Sequence, residues 1–230
     1  MNRLNLERKV LSENDRLAGE LRERFAENDI LCLNIIGSPG AGKTSVLERT
    51  LEGLACGPAR RPRAAVLTGD IQTDNDAARL APYGFPVHQI TTGGACHLDA
   101  RMITQALEDW RLEDLDLLFI ENVGNLVCPT SYDLGEAAKI VVLSTPEGDD
   151  KPLKYPGIFF KSSLLVLNKI DLLPHVPFDL GAARENARRV HPEIEIVEVS
   201  CATGAGFETW RRWLDCQRAL FDSRVIAGIA

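Results

Sequence analysis

The stretch GSPGAGKT, from Gly37 to Thr44, decides the fold of this chain. An apolar run at residues 30–36 precedes it, and a helix-forming run at residues 44–54 follows it. Glycines at this spacing let consecutive backbone N–H groups turn inward around phosphate oxygens, at the positive end of the following helix. The stretch therefore predicts a P-loop. The alternative is a glycine-rich turn between strand and helix that ends in Lys-Thr by chance.

A P-loop assigns a role to each of its side chains. Lys43 reaches the β- and γ-phosphates and is a candidate catalytic residue, and the Thr44 hydroxyl reaches Mg²⁺. The residues predicted to bind the nucleotide phosphates are Gly37, Gly40, Ala41, Gly42, Lys43, Thr44 and Ser45.

The composition excludes several classes of protein. The chain has 230 residues, 45% hydrophobic and 26% charged, which is typical of a soluble α/β domain. A net charge of −7 opposes nucleic-acid binding. No apolar run is long enough to span a membrane, and the N-terminus lacks the apolar region of a secretory signal, so we expect a cytoplasmic protein. The six cysteines include no C-x-x-C pair, which disfavours a disulfide framework.

Apolar runs alternate with helical patterns along the rest of the chain. Strands are predicted at residues 64–68, 86–90, 115–120, 140–143, 164–167 and 194–199, and helices at residues 4–26, 97–110, 179–189 and 207–221. This βαβα order predicts an α/β fold with a mostly parallel sheet covered by helices on both faces. Ligands then bind at the carboxyl ends of the strands.

One P-loop domain is expected at residues 29–222, with a C-terminal tail at residues 223–230. Residues 1–28 form an amphipathic leader helix packed on that domain. Its apolar stripe predicts core packing or a partner surface, and the alternating charges disfavour a membrane surface.

Asn168-Lys169-Ile170-Asp171 follows the predicted strand 164–167 and indicates guanine. The carboxylate of Asp171 can accept hydrogen bonds from both N1–H and the amino group of guanine, a donor pair that adenine lacks. Lys169 can lie along the base, and Asn168 can brace the loop. Ser200-Cys201-Ala202 resembles the Ser-Ala-Lys loop of GTPases, which offers backbone N–H groups to the guanine oxygen. The alternative for the first motif is a polar turn at a strand end.

Three oxygen-bearing side chains are predicted to surround Mg²⁺: Thr44, Asp70 and Glu121. A hydroxyl and carboxylates at strand ends suit a hard cation beside the phosphates. Asp70 is also the candidate for orienting the attacking water, with Asp74 and Asp76 as alternatives in the same loop. Either acid could instead be a solvated loop carboxylate.

Cys96, His97 and Cys128 are candidate ligands of Ni²⁺ or Zn²⁺, because thiolate and imidazole suit both ions. Cys96 and His97 fall at the start of the predicted helix 97–110, where a thiolate is favoured. The alternative is small buried cysteines and a capping histidine. Because one chain offers only three ligands, a two-fold dimer is a natural corollary.

Six stretches together resemble one known family. They are GSPGAGKTS, TGDIQTDND, TTGGACHLDA, ENVGNLVCP, STPEGDDKPLKYP and NKID, within residues 30–206. On these motifs the chain is similar to the HypB family of hydrogenase nickel-incorporation GTPases, which implies a SIMIBI-type P-loop fold. The pairing of ACHLDA with ENVGNLVCP is the specific part, because the related urease accessory GTPase carries a Cys-Pro-His motif instead.

The resemblance implies a Mg²⁺-dependent GTPase, switching between GTP and GDP, that handles nickel during hydrogenase maturation. It further implies a nucleotide- and metal-dependent homodimer, a HypA-type metallochaperone as partner, and the hydrogenase large subunit as an indirect one. Family residues matching Cys96, His97 and Cys128 bind Zn²⁺ or Ni²⁺. Lys151 and Lys154 are either surface lysines or contacts to the partner protomer's nucleotide. No cysteine-rich or histidine-rich tract precedes Ile30, so N-terminal nickel storage is not expected.

Two other functions remain open at this point. One is a GTPase that serves urease or another metalloenzyme. The other is a metal-storing scaffold with little nucleotide turnover, which the presence of Lys43, Thr44 and Asp70 opposes.

Overall fold

The computed structural model describes residues 3–56, 62–72 and 75–227, without the side chains of residues 3–7 and 226–227. Its strands form one parallel sheet in the order β3-β2-β4-β1-β5-β6-β7, which confirms the predicted α/β fold. The strands are β1 (Leu31–Gly37), β2 (Ala64–Asp70), β3 (Val87–Thr91), β4 (Leu117–Glu121), β5 (Ala138–Ser144), β6 (Leu164–Asn168) and β7 (Glu195–Glu198).

Helices cover both faces of this sheet. They are α1 (Arg3–Glu27), α2 (Lys43–Ala55), α3 (Asn75–Leu80), α4 (Ala100–Ala106), α5 (Lys151–Lys154), α6 (Pro156–Lys161), α7 (Leu180–Val190) and α8 (Phe207–Ala227). Buried side chains of α2 and α8 pack on one face, and those of α1, α4, α6 and α7 pack on the other. Strand β1 is buried along its whole length, as expected of a parallel strand between two helical layers.

The register of the central strands places the P-loop beside the end of β4. Strand β1 lies between β4 and β5, with Ile35 opposite Glu121. The chain leaves β1 at Gly37, turns through the P-loop and enters α2 at Lys43. Gly42 has a φ of 94°, and a Cβ there would lie 2.3 Å from the amide nitrogen of Asn168. Only glycine fits this position.

Helix α4 is much shorter than the predicted helix 97–110. It begins at Ala100, because Asp99 is extended and its side chain accepts a hydrogen bond from Met102 N at 2.8 Å. This is the geometry of an N-cap residue, which terminates a helix on its N-terminal side. The prediction that Cys96 and His97 lie at the start of a helix is therefore wrong, since both lie in the loop before the cap.

One other helix and one connection also differ from the predicted pattern. Helix α8 continues past the predicted end at Phe221, through the proposed tail, to Ala227. An ion pair between Arg218 and Asp222 supports that added turn, and the sequence has no helix breaker before Gly228. Between β4 and β5 the only described helix is the short 3₁₀ helix Cys128–Ser131, so the alternation of strand and α-helix is interrupted there.

Helix α1 packs against the domain along its C-terminal half. Ala18, Leu21 and Phe25 are buried and share a cluster with Ile103 of α4. Searching the described residues reveals no helix both long and apolar enough to cross a membrane. Residues 1–2 of the predicted leader and 228–230 of the predicted tail lie outside the described part of the chain.

Candidate functional site

A cavity of about 840 Å³ opens at the carboxyl ends of β1, β2 and β4. The P-loop contributes Gly40, Gly42, Lys43, Thr44 and Ser45 to its wall, whereas Ala41 packs into the core behind it. Lys43 is 7% exposed, and its Nζ lies 3.4 Å from the carbonyl oxygens of Gly37 and Ser38. Burial lowers the pKa of Lys43 from its ordinary value. The cavity thus combines a helix N-terminus with a desolvated ammonium group, which is the chemistry of phosphate binding.

Two carboxyl groups converge on the Thr44 hydroxyl. Its Oγ1 lies 2.9 Å from Asp76 Oδ1 and 2.8 Å from Glu121 Oε1. Since one hydroxyl proton serves only one acceptor at a time, both contacts are satisfied together only when one carboxyl carries a proton. Sequence reasoning treated Asp76 merely as an alternative to Asp70. The structure places Asp76 in direct contact with Thr44, one of the predicted Mg²⁺ residues.

Glu121 is the group that can carry this proton. It is 3% exposed, and burial raises its pKa to about 7. Its second oxygen, Oε2, is buried and has no hydrogen-bond partner among the described residues. A buried carboxylate oxygen without a partner is costly unless a cation binds to it. Together with Thr44 and Asp76, Glu121 therefore offers an oxygen donor set that fits Mg²⁺.

Asp70 and Arg79 complete the wall of this cavity. Asp70 is the last residue of β2, and its Oδ1 accepts a hydrogen bond from Gln72 N at 2.9 Å. Arg79 of α3 donates to Ser45 Oγ at 3.0 Å and to Glu48 at 2.7 Å. No spacing rule points to Arg79, because the fold alone brings α3 over the P-loop helix. Asp74, the other alternative to Asp70, lies outside the described residues.

A second cavity of about 540 Å³ adjoins the first and shares Gly42, Ser45 and Lys169 with it. Its wall brings together Asn168, Asp171, Cys201 and Ala202, as the two motifs predict for a base site. Residues from α2 and the segment after α3 also contribute: Glu48, Arg49, Glu52 and Tyr83.

Side-chain hydrogen bonds connect this second cavity, which we call the base cavity, to the P-loop. Asn168 Nδ2 donates to Ala41 O at 2.9 Å, and Lys169 Nζ donates to Gly40 O at 2.7 Å. Ser200 Oγ donates to Asp171 Oδ1 at 2.5 Å, which fixes the carboxylate that is proposed to face the base. Burial raises the pKa of the Cys201 thiol to about 11, so this thiol stays neutral. The two cavities are therefore held together as one unit.

Cys96, His97 and Cys128 form a cluster at the edge of the sheet beside the first cavity, which we call the thiol–imidazole cluster. One candidate ligand atom from each residue lies within 4.8 Å of the other two. The two sulfur atoms are 3.0 Å apart and both thiols are free. All three residues are half-buried. Two sulfurs and a nitrogen on one side of a common point can bind a soft or borderline metal ion and leave further positions open.

The neighbouring thiol and burial set the protonation of this cluster. A hydrogen bond between the two thiols raises the pKa of Cys96, opposite to the effect expected from a helix N-terminus. Burial lowers the pKa of His97, so the imidazole is neutral and can act as a ligand. Its ring stacks on Tyr132, with centroids 3.9 Å apart. A metal ion must displace the thiol proton, which makes its binding dependent on pH.

The loop that leaves β4 connects the cluster with the first cavity, which we call the phosphate cavity. It begins at Glu121 in the cavity wall and reaches Cys128 seven residues later. Asn125 pairs with Gly37 of β1 through an isolated bridge and donates to Cys96 O at 3.2 Å. A Cβ on Gly124 would lie 2.9 Å from the Pro39 side chain. The P-loop thus contacts the segment that carries Cys128.

Two residues that hold the cluster have no recognisable sequence signal. Tyr132 follows Cys128 by four residues and supports His97 by stacking. The Asn122 Oδ1 atom accepts from Leu98 N at 3.2 Å, next to His97. Neither residue belongs to a ligand motif. Their roles depend on how the loops meet in space.

Comparisons with known proteins agree with this architecture. Residues 31–198 match the family model described as CobW/HypB/UreG, nucleotide-binding domain. The hydrogenase maturation factor HypB of Azotobacter vinelandii is 52% identical over 217 residues, covering 94% of this chain and 70% of that protein. A hydrogenase/urease maturation factor HypB of Helicobacter pylori is 41% identical over 210 residues, covering 90% of this chain and 84% of that protein.

A solved structure gives the same result. The crystal structure of Helicobacter pylori HypB in complex with nickel superposes with a TM-score of 0.83 at 41% identity, covering 90% of this chain and 95% of that one. The match includes the all-parallel sheet, and it confirms the predicted SIMIBI-type P-loop fold. By sequence and by structure, the chain belongs to the HypB family.

Proposed function

We propose that this protein is a Mg²⁺-dependent GTPase whose nucleotide state controls the binding and release of Ni²⁺ or Zn²⁺ during hydrogenase maturation. One observation carries the proposal: the single loop that leaves β4 after Glu121 lines the phosphate cavity at Gly124 and reaches the thiol–imidazole cluster at Cys128. A change in the phosphates can therefore move a metal ligand.

The phosphate cavity supplies the groups that GTP hydrolysis requires. Lys43 and the P-loop backbone would bind the β- and γ-phosphates, and Thr44, Asp76 and Glu121 would hold Mg²⁺. The bound ion would offset the charge that develops on the phosphate oxygens. Asp70, at the end of β2 in the cavity wall, is proposed to orient the attacking water. These roles follow from the positions of the side chains around one cavity.

Guanine is the base that the second cavity fits. Asp171 presents one carboxylate to the cavity, held in place by Ser200, and this group suits the paired donors of guanine. Asp171→Asn should weaken GTP binding about 100-fold and improve binding of xanthosine triphosphate, whose base carries oxygen in place of the amino group. Fluorescent analogues of both nucleotides would measure the two affinities. GTP affinity that stays unchanged in Asp171→Asn would refute the guanine assignment.

A homodimer would complete the metal site. One chain offers three ligands on an open surface, and Val127 beside Cys128 is an apolar side chain that is 60% exposed. A second copy related by a two-fold axis would bring a second ligand set to the same place. The expected HypA-type metallochaperone, and the hydrogenase large subunit as an indirect partner, follow from the family alone.

The central test is the dependence of metal affinity on the nucleotide. Ni²⁺ and Zn²⁺ affinities would be measured by competition with a chromophoric chelator, with the protein saturated first with Mg²⁺–GDP and then with a non-hydrolysable Mg²⁺–GTP analogue. Coupling between two sites is typically worth about 5- to 150-fold in affinity. We expect a difference in this range. Equal affinities in the two states would disprove the switch while leaving both binding sites intact.

A urease client is a second candidate, favoured by the Helicobacter pylori relatives that are named hydrogenase/urease maturation factors. Both clients require the same chemistry at the thiol–imidazole cluster. Pull-down with the tagged protein, followed by identification of the co-purified metalloenzyme, would separate them. A storage scaffold would instead show metal binding without GTP turnover.

A further inference from the structure

Helix α1 contacts both chain segments that carry the metal ligands, and one of its side chains, Asn14, contacts both segments at once. Asn14 is 5% exposed, and both polar atoms of its amide are used. Its Oδ1 accepts from Ala100 N at 2.9 Å, and its Nδ2 donates to Asp133 O at 2.9 Å. These partners are 86 and 119 residues away along the chain, so the amide joins two distant segments.

Each partner lies close to a ligand or to the residue that supports it. Ala100 is the first residue of α4, three positions after His97. Its N–H has no acceptor inside the helix, as is general for the first turn. Asp133 follows Tyr132, the residue whose ring stacks on His97, and lies five positions after Cys128. Asn14 therefore holds the His97 segment and the Cys128 segment at a fixed separation.

Further contacts hold the Cys128 segment, at Asp133 and Gly135, against α1. Arg22 donates to both carboxylate oxygens of Asp133, at 2.8 and 2.7 Å. Gly135 has a φ of 80°, and a Cβ there would lie 2.9 Å from Ala18 O. On the opposite side, Asn122 holds the His97 segment through Leu98 N. The cluster is thus held from the nucleotide side by Asn122 and from the helix side by Asn14.

We propose that Asn14 is a positioning residue for the thiol–imidazole cluster, through which helix α1 sets the spacing of the metal-binding loops. This inference rests on the proposed metal site and extends it to a helix outside the predicted P-loop domain. Any partner or substitution that shifts α1 would then change the metal site without contacting it. Outer partners of metal ligands contribute to affinity by fixing ligand orientation.

The test compares Asn14→Ala with Asn28→Ala. Asn28 directly follows the last residue of the same helix, and its amide makes one hydrogen bond, to Arg24 O of that helix, so Asn28→Ala is a matched loss of an amide. Ni²⁺ titration against a chromophoric chelator should show about tenfold weaker binding in Asn14→Ala, the lower end of the range for outer partners. Asn28→Ala should match the unchanged protein. Thiolate-to-nickel charge-transfer absorption should shift only in Asn14→Ala. The GDP affinity measured without Ni²⁺ should be the same in both variants.

A second variant provides a test in case Asn14→Ala does not fold. Arg22→Met removes the tie to Asp133 through a half-exposed ion pair, which contributes little to stability. It should weaken Ni²⁺ binding by more than about twofold but by less than Asn14→Ala does, because Arg22 holds only one of the two segments and contacts no ligand itself. If folded Asn14→Ala binds Ni²⁺ within twofold of the unchanged protein, the positioning role of Asn14 is overturned while the proposed metal function stands. If Asn14→Ala does not fold, the same result in Arg22→Met overturns it. Failure of the unchanged protein to bind Ni²⁺ would overturn the proposed metal function and this inference together.

Discussion

The phosphate cavity and the thiol–imidazole cluster lie side by side but are built in opposite ways. The cavity takes five wall residues from one contiguous stretch, Gly40 to Ser45, and its key side chains, Lys43 and Glu121, are almost fully buried. The cluster takes its three ligands from two loops and leaves all of them half-exposed. A site within the core keeps its shape, whereas a site between loops can change it at low cost.

This difference suits a switch. Strands β1, β4 and β5 fix the phosphate cavity, and opening it would disrupt the main core cluster. The loops at Cys96 and Cys128 lie outside the paired strands, where only a few hydrogen bonds hold them. In the proposed switch, nucleotide binding would act on the frame, and its consequences would appear in these two loops.

The largest effect is expected from losing a ligand of the cluster. Cys96→Ala should weaken Ni²⁺ and Zn²⁺ binding by more than about 100-fold, beyond the loss that follows removal of an outer partner. The exposed Cys216, on α8, provides the matched control, because Cys216→Ala removes a thiol far from the cluster. GTP turnover with Mg²⁺, but without added Ni²⁺ or Zn²⁺, should persist in Cys96→Ala. Stoichiometric tight binding in Cys96→Ala would show that the cluster is not the metal site.

Sequence reasoning predicted the frame better than the loops, for a physical reason. Strand β1 and the P-loop are specified by residues that are neighbours in the chain, so local patterns identify them. The predicted start of α4 was wrong because the position of its N-cap depends on Asp99, whose side chain closes the first turn. A periodic apolar pattern does not reveal which polar residue ends it.

The site shows the same limit. Asn168, Lys169 and Asp171 stand within four consecutive residues, so a local pattern could identify them, and the structure places all three around one cavity. Asp76 was named only as an alternative to Asp70, and Tyr132 was not named at all, since each acts through a partner, Thr44 or His97, that is distant in sequence. Sequence predicted the three cluster residues as candidate ligands, but not the residues that hold them.

A smaller effect, on pH dependence, is expected at Glu121. Burial raises its pKa from 4.5 to about 7, so its charged form is disfavoured in the folded protein, beside Lys43, Asp76 and Arg79. A pKa that is higher in the folded than in the unfolded state means that nucleotide-free stability falls as pH rises from about 4.5 to about 7. Mg²⁺ requires the carboxylate, so Mg²⁺–GTP affinity should fall up to tenfold per pH unit below pH 7.

The check on Glu121 is a pair of glutamine variants. Glu121→Gln should abolish this pH dependence and should also weaken Mg²⁺–GTP binding at pH 8. The control Glu108→Gln, at an exposed position, should change neither the pH dependence nor the affinity at pH 8. Chemical denaturation at pH 5 and pH 7 would measure the stability difference. Mg²⁺–GTP affinity that is constant between pH 5.5 and pH 8 in the unchanged protein would exclude Glu121 as a group that must lose its proton.

The smallest effect is expected where frame and loop touch, and it tests the contact directly. Gly124→Ala places a methyl group 2.9 Å from Pro39 Cγ and 3.0 Å from Pro39 N, so the loop toward Cys128 must move away from the P-loop. Gly53, on the exposed face of α2, has no atom within 4 Å of the same methyl position and is the control. The ratio of metal affinities in the GTP and GDP states should fall about two- to fivefold in Gly124→Ala, the lower part of the range for a residue on a coupling path. Gly53→Ala should leave it unchanged. If Gly124→Ala keeps the full ratio while both ligands still bind, the nucleotide state must reach the cluster by another route, through Asn125 and the backbone of Cys96.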